Sequence, residues 1–278
     1  MREALITPHK AKPQCGALSE HSPEGQDARS ANNPTQGEAA VWGQDRNKKS
    51  KKMKKIVVLS GAGISAESGI STFRDSDGLW ENHNVEDVAS IDGWYRNPKL
   101  IIDFYNERRA QLEHCEPNAA HKLVAKLEEQ YDVTVVTQNV DNLHERGGSS
   151  KIIHLHGELT KACNERKTEV FDIGYKPMKY GERAKDGSLL RPFIVWFGEA
   201  VPLLDAAARE VEQADILIII GTSLAVYPAA GLLYYAPANA EIYVIDPKQP
   251  GSISRRVTYI TEKATVGMKQ LCDKLMTP

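Results

Sequence analysis

The chain has 278 residues, 41% of them hydrophobic and 26% charged, with a formal net charge of -2. Those values fit one large globular domain able to bury a sizeable core, and they exclude the strong fields that draw in nucleic acid or an anionic membrane. The longest apolar run, Ile216–Ile220, falls far short of the ~20 residues that span a bilayer, and no secretory leader opens the chain, so a cytoplasmic location is expected. The four cysteines, Cys15, Cys115, Cys163 and Cys272, form no C-x-x-C pair, which argues against a disulfide framework and a four-cysteine zinc site.

Residues 1–52 are rich in Pro, Gly, Ser, Asn, Gln and charge and lack periodicity, so they are expected to be disordered. They end in a lysine-rich run that reads as a solvated flank before the first strand, and Met53 is a possible alternative start. From there the texture changes. Residues 56–59 form a short apolar run closed by a glycine turn, and further buried strands are expected at 133–137, 152–155, 216–220 and 242–245. Helical patterns lie between them at 119–130, 203–213, 229–235 and 266–275. Continuously apolar strands alternating with amphipathic helices predict an α/β fold: a Rossmann-like, doubly wound parallel sheet with ligand at its carboxyl ends. Residues 75–115, with a helix over Pro98–Glu113, and the polar residues 158–192 break the alternation. They read as two insertions that build a smaller second module.

Five clusters carry candidate chemistry. Gly61-Ala62-Gly63-Ile64-Ser65 follows the first strand and precedes an expected helix, where glycines and N-terminal amides suit a pyrophosphate or merely make a tight turn. Thr72, Phe73 and Arg74 offer an aromatic cap and a phosphate partner on a nearby loop. Gln138, Asn139 and Asp141 stand at a strand end, with amides and a carboxylate fit for a carboxamide and ribose hydroxyls, or for helix capping. His154-Leu155-His156-Gly157 follows another strand; the two histidines are read as facing opposite sides, with His156 the candidate general base. The fifth cluster combines residues 191–199 with Gly221, Thr222 and Ser223 at the end of the strongest strand, and Asp246 stands at the end of another.

In this order and spacing, GAGIS with AESGISTFR, TQNVDNLHERGG, HLHGEL, VWFGE and GTSLAVYPAA resemble the sirtuin family over about residues 54–276. The resemblance implies a Rossmann-like domain with a small module and an NAD⁺-dependent protein-lysine deacylase that releases nicotinamide and O-acyl-ADP-ribose. It implies catalytic roles for His156, Asn139 and Asp141. Gly61, Ala62, Gly63, Ser65, Glu67, Thr72, Phe73, Arg74, Gln138, Gly221, Thr222, Ser223, Asp246 and Ala264 would bind the cofactor. Val195, Trp196, Phe197 and Gly198 would pair with an acyl-lysine peptide as an added strand. Tyr105 and Arg108, three apart on one helix face, resemble the Tyr-x-x-Arg pair of family members that accept succinyl- and malonyl-lysine.

One departure stands out. Most sirtuins carry two cysteine pairs for structural zinc after the catalytic histidine, whereas only Cys163 occurs here and Arg166 replaces its partner. No zinc is therefore expected, and the module must be held by packing around Phe171, Tyr175 and Tyr180. A monomer is expected, with no specific nucleic-acid or membrane partner. An ADP-ribosyltransferase or NAD glycohydrolase would share the cofactor residues and remains the alternative. A non-catalytic NAD-binding module is a further one, and a hydride-transferring dehydrogenase is the weakest, since G-x-G-x-x-G is absent.

Overall fold

The structure is a computed structural model that describes residues 53–71, 79–80, 83–251 and 253–277. The readings of residues 1–52 and of Thr72, Phe73 and Arg74 lie outside those residues. In chain order the strands are β1 (Lys55–Ser60), β2 (Leu79–Trp80), β3 (His83–Asn84), β4 (Asp132–Thr137), β5 (Ile152–His154), β6 (Gly157–Cys163), β7 (Val170–Asp172), β8 (Arg191–Ile194), β9 (Ile216–Ile220), β10 (Glu241–Ile245) and β11 (Thr258–Ile260). The helices are α1 (Val85–Val88), α2 (Ile91–Arg96), α3 (Pro98–Glu113), α4 (Ala119–Lys126), α5 (Leu143–Arg146), α6 (Leu204–Val211) and α7 (Ala264–Met276).

Six strands form one parallel sheet in the order β11-β10-β9-β1-β4-β5. Alternate residues of a strand face opposite sides, so a strand apolar throughout feeds two cores. Ile56, Val58, Ile216 and Ile218 pack with Val124 of α4 and Met268 and Leu271 of α7. Val57, Leu59, Leu217 and Ile219 pack on the other face with Ala207 and Val211 of α6 and with Leu232 and Leu233 of a 3₁₀ segment, Ala229–Tyr235. The expected sheet is thus covered on both faces. The edge strand β11 was not foreseen: its burial is partial, and only half of its ladder needs satisfying.

The smaller module draws on both insertions. β6, β7 and β8 make an antiparallel sheet in the order β7-β6-β8. Trp94, Ile101, Phe104, Tyr105 and Leu112 from the first insertion share one core with Leu159, Ala162 and Met178 from the second and with Ile194 and Trp196 just beyond its expected end. α3 begins and ends at the expected residues because Asn97 caps the Leu100 amide and Pro98 occupies the first turn, where no N–H is required. Among the described residues no helix is long and apolar enough to cross a membrane.

Candidate active site

In an open parallel sheet the ligand crevice lies outside the carboxyl ends of the strands, where the strand order reverses. That point falls beside β1, whose partners β4 and β9 carry the chain away in opposite directions. A cleft of about 280 Å³ opens there. Its floor is made by Gly61, Ala62 and Gly63 after β1, Gln138, Asn139 and Asp141 after β4, and Gly221, Thr222 and Ser223 after β9; His156 stands in its wall.

Among the described residues that follow β1, up to Ser71, the expected helix is absent. The chain makes two 3₁₀ turns, Ala62–Ile64 and Ala66–Ser68, and stops at Gly69 with φ 89°. Only eight residues separate β1 from that left-handed glycine, and between the turns Ser65 is held inward by its side-chain bonds, which leaves no room for an α-helix. The glycines also do something other than expected. A Cβ on Gly61 would meet the Thr222 Cβ at 2.8 Å, and one on Gly63 would meet the Gly221 Cα at 2.7 Å. Their small size lets the β1 and β9 loops abut, and any space for phosphate is a product of that contact.

Beneath this loop lies a buried polar cluster. Ser65 donates to Asp141 Oδ2 over 2.9 Å and accepts from the Asn139 side-chain amide over 3.2 Å. Asp141 Oδ1 accepts from the Leu143 amide at the start of α5, so capping and site-building are shared between its two oxygens. Burial raises the Asp141 carboxyl above the usual carboxylate range, opposed by those two bonds. Gln138 donates to the Thr222 hydroxyl, tying the β4 and β9 loops together.

His154 and His156 do not face opposite sides. Positions two apart in extended chain share a side, and the intervening Leu155 enters the core. Both rings reach the backbone after β4: His156 Nδ1 lies 3.0 Å from the Gln138 carbonyl and His154 Nδ1 lies 3.1 Å from the Asn139 carbonyl. Only His156 lines the cleft. Since a carbonyl can only accept, Nδ1 of His156 carries the proton and Nε2 is left with a lone pair. Burial lowers His156 below the ordinary histidine value and so favours the neutral ring, opposed by the Gln138 bond.

Val195, Trp196, Phe197 and Gly198 also line the cleft. Val195 donates to the His156 carbonyl, and Phe197 exchanges backbone bonds with Ala89 and Ile91 of the first insertion. The segment is braced from behind by Glu199, which accepts both guanidinium nitrogens of Arg191 at 2.8 and 2.9 Å, Lys167 at 3.0 Å and the Trp196 amide at 2.9 Å. The Arg191 guanidinium lies 3.6 Å from the Trp196 ring centre, and Trp196 Nε1 donates to the Tyr105 hydroxyl. Tyr105 lines the cleft, whereas Arg108 borders an adjoining pocket of about 50 Å³ that shares Ile70, Ser71, Tyr105 and Asp141.

Four of the expected cofactor residues that the structure describes stand outside the cleft lining: Ser65, buried in the cluster beneath the loop, and three more. Glu67 turns away to accept the amide and hydroxyl of Thr265 in the first turn of α7; Ala264 opens that helix within the core. Asp246, buried after β10, accepts the Lys248 amide. Conversely, the sequence reading passed over Tyr227, an exposed wall residue, and His121, which is fully buried 3.4 Å from the Ser65 hydroxyl. Tyr227 lay within the quoted AVYPAA motif; His121 lay in a helix whose buried face the pattern did not resolve to single residues.

Residues 61–228 match the Sir2 family. The chain belongs to that family. Among Sir2 relatives, an NAD-dependent protein deacylase of Bacteroides thetaiotaomicron is 56% identical over 233 residues, covering 81% of this chain and 99% of that protein. A Sir2 homolog solved as an NAD complex is 38% identical with a TM-score of 0.73, covering 80% of this chain and 90% of the other. A Sir2 protein bound to acetylated peptide is 29% identical with a TM-score of 0.68, covering 80% and 93%.

Proposed function

We infer that this chain is an NAD-dependent protein deacylase that works through His156 and prefers acyl-lysines ending in a carboxylate. The carrying observation is the His156 imidazole in the cleft lining, its Nδ1 held by the Gln138 carbonyl so that Nε2 is the nitrogen left for chemistry, beside residues 195–198. The donor set fits NAD⁺: side-chain amides of Gln138 and Asn139 and the Asp141 carboxylate suit a carboxamide and a diol. Bound NAD⁺ supplies an electrophilic ribose carbon once nicotinamide departs. The acyl-lysine carbonyl oxygen is the nucleophile; Asn139 and Asp141 orient the groups, and the walls exclude water. His156 Nε2 would take the proton of a ribose hydroxyl, so that this oxygen can bond the acyl carbon; lysine would leave, and a water molecule would then add to the acyl carbon as its bond to the first ribose oxygen breaks. Lysine, nicotinamide and O-acyl-ADP-ribose are the products.

The acyl preference rests on Arg108. Its side chain is 16% exposed, and among the described residues its Nε and Nη1 are buried without a hydrogen-bond partner, while Nη2 reaches Glu107 at 3.3 Å. A buried guanidinium edge lacking acceptors is costly, and a carboxylate satisfies it in a forked pair. The small module is read as zinc-free: burial pushes the lone Cys163 thiol up to about 11, and Asn164 ties the neighbouring loops together.

Nicotinamide release and peptide mass, followed with matched acetyl- and succinyl-lysine peptides, test both claims. NAD⁺-dependent deacylation that favours succinyl, vanishes in His156→Tyr and reverts toward acetyl in Arg108→Met is expected. An unchanged acyl preference in Arg108→Met overturns the acyl assignment. Nicotinamide release with both peptides still acylated would instead establish the glycohydrolase or ADP-ribosyltransferase reading.

A further inference from the structure

β4 delivers two successive carbonyls, those of Gln138 and Asn139, to the rim of the cleft, and each meets an imidazole from the end of β5 or just beyond it. The two rings differ at their second nitrogen. His156 presents Nε2 to the cleft, whereas His154 Nε2 lies 2.6 Å from a Glu145 carboxylate oxygen. His154 therefore spans two groups that can only accept, a carbonyl and a carboxylate, and serves both only when both ring nitrogens carry hydrogen. A neutral ring has one N–H and must release one of them.

What the Asn139 carbonyl gains matters because the rest of that residue is already pinned. Its amide donates to the Thr137 hydroxyl over 3.0 Å, and its side-chain amide donates to Ser65 over 3.2 Å. The carbonyl is the remaining handle on the peptide plane that aims the side chain into the cleft. We propose that His154 and Glu145 are a positioning pair: the imidazole bridges the Glu145 carboxylate and the Asn139 carbonyl, and so holds Asn139 in its cofactor-facing orientation. This rests on the reading of Asn139 as a cofactor-cleft residue.

The surroundings set the charge. Glu145 faces His154 from α5, Glu158 and Lys161 face it from β6 while paired to one another at 2.7 Å, and Asp141 and His144 complete the nearby titrating groups. Burial works against the cation, but the bond and charge of Glu145 outweigh it, and His154 titrates above the ordinary histidine value. The bridge is complete below that pKa and is lost as pH rises through it. Lowered His156 and raised His154 then bracket a window in which one ring is a free base and its neighbour a fixed cation.

The test measures kcat/KM for NAD⁺ against pH between about 6 and 9 for the full chain, Glu145→Gln and His154→Gln. NAD⁺ binding is followed by calorimetry over the same range, so that binding reports on the pair even if no deacylation occurs. Glu145→Gln removes the charge that sustains the cation. Its alkaline limb is expected to move to lower pH, with NAD⁺ binding weakened several-fold between the two limbs and nearly unchanged near pH 6. His154→Gln keeps an amide donor for the Asn139 carbonyl at every pH, so the limb should flatten. A Glu145→Gln profile that superimposes on the parent, or an alkaline limb that survives unchanged in His154→Gln, would overturn the proposal. So would a loss equal at all pH values with a lowered melting temperature, which would mark a purely structural pair.

Discussion

Gly63 donates its amide to the Gly221 carbonyl over 2.8 Å, and Gly221 holds a left-handed backbone with φ 64°. A Cβ on Gly221 would stand 2.2 Å from the Ile64 nitrogen and 2.5 Å from the Gly63 carbonyl carbon. The two loops that carry the cleft floor are thus in direct backbone contact, and neither can retreat without losing its strand-end geometry. Gly221→Ala should cost at least about 2 kcal/mol from strain and displacement together, and should also weaken NAD⁺ binding. Gly174 provides the control: its φ is 55°, but nothing lies within 4 Å of an added Cβ. Gly174→Ala should cost about 1 kcal/mol and leave binding intact. Thermal melting and calorimetry on both variants check this, and equal binding losses would contradict the contact.

His121 and His144 lie behind the cleft, ring centres 5.0 Å apart, each with one nitrogen near a serine hydroxyl, Ser65 and Ser60 respectively. Burial lowers His121 to about 4 and His144 well below its ordinary value, in the latter with help from the neighbouring histidines. The unfolded chain therefore takes up protons near pH 6.5 that the folded chain refuses. Stability that is complete above about 6.5 is lost as pH falls toward 4, at up to about 1.4 kcal/mol per pH unit for each ring. His121→Gln should reduce the slope of melting temperature against pH in that interval, whatever it does to the absolute value. An unchanged slope would mean that His121 is accessible to protons in the folded state.

Asn164 is 1% exposed and makes four hydrogen bonds within the small module. Its side-chain oxygen accepts the amides of Thr168 and Glu169, and its nitrogen reaches the Thr168 hydroxyl and the Asp186 carboxylate. Two loops of the second insertion are joined at this one side chain. Asn164→Ala should cost about 2–3 kcal/mol, because buried partners are left unsatisfied, while dialysis against a chelator should leave the melting temperature of the parent chain unchanged. A drop on chelation would show that a metal shares the task.

Much of this was legible in the residue order. Ile56 to Leu59 and Ile216–Ile220 are apolar without alternation, which only a doubly covered parallel strand tolerates, and their carboxyl ends then had to carry the polar groups of a cleft. The helix expected over Pro98–Glu113 is α3, and its start is fixed by local chemistry, the Asn97 cap and Pro98 in the first turn. The motifs after β1, β4, β5 and β9 pointed to one site before any geometry was available, and the structure brings Gly61, Asn139, Asp141, His156 and Thr222 to one cleft.

The rest depended on partners distant in the chain. The 3₁₀ turns after β1 follow from Ser65 reaching Asp141, 76 residues on, and the glycines of that loop are required by Gly221 rather than by a ligand alone. Glu67 was read as a cofactor residue, yet its carboxylate is spent on Thr265 in the first turn of α7. His154 and His156, two residues apart and identical in kind, shift in opposite directions, His154 upward because it meets Glu145 and His156 downward because it is buried beside a backbone carbonyl alone. Sequence by itself determined which strands are buried and which side chains gather at their ends, since burial and capping act over a few residues. Only the tertiary structure decided which acceptor faces which donor, and with it the protonation state of each group, since those energies depend on distances that no local pattern encodes.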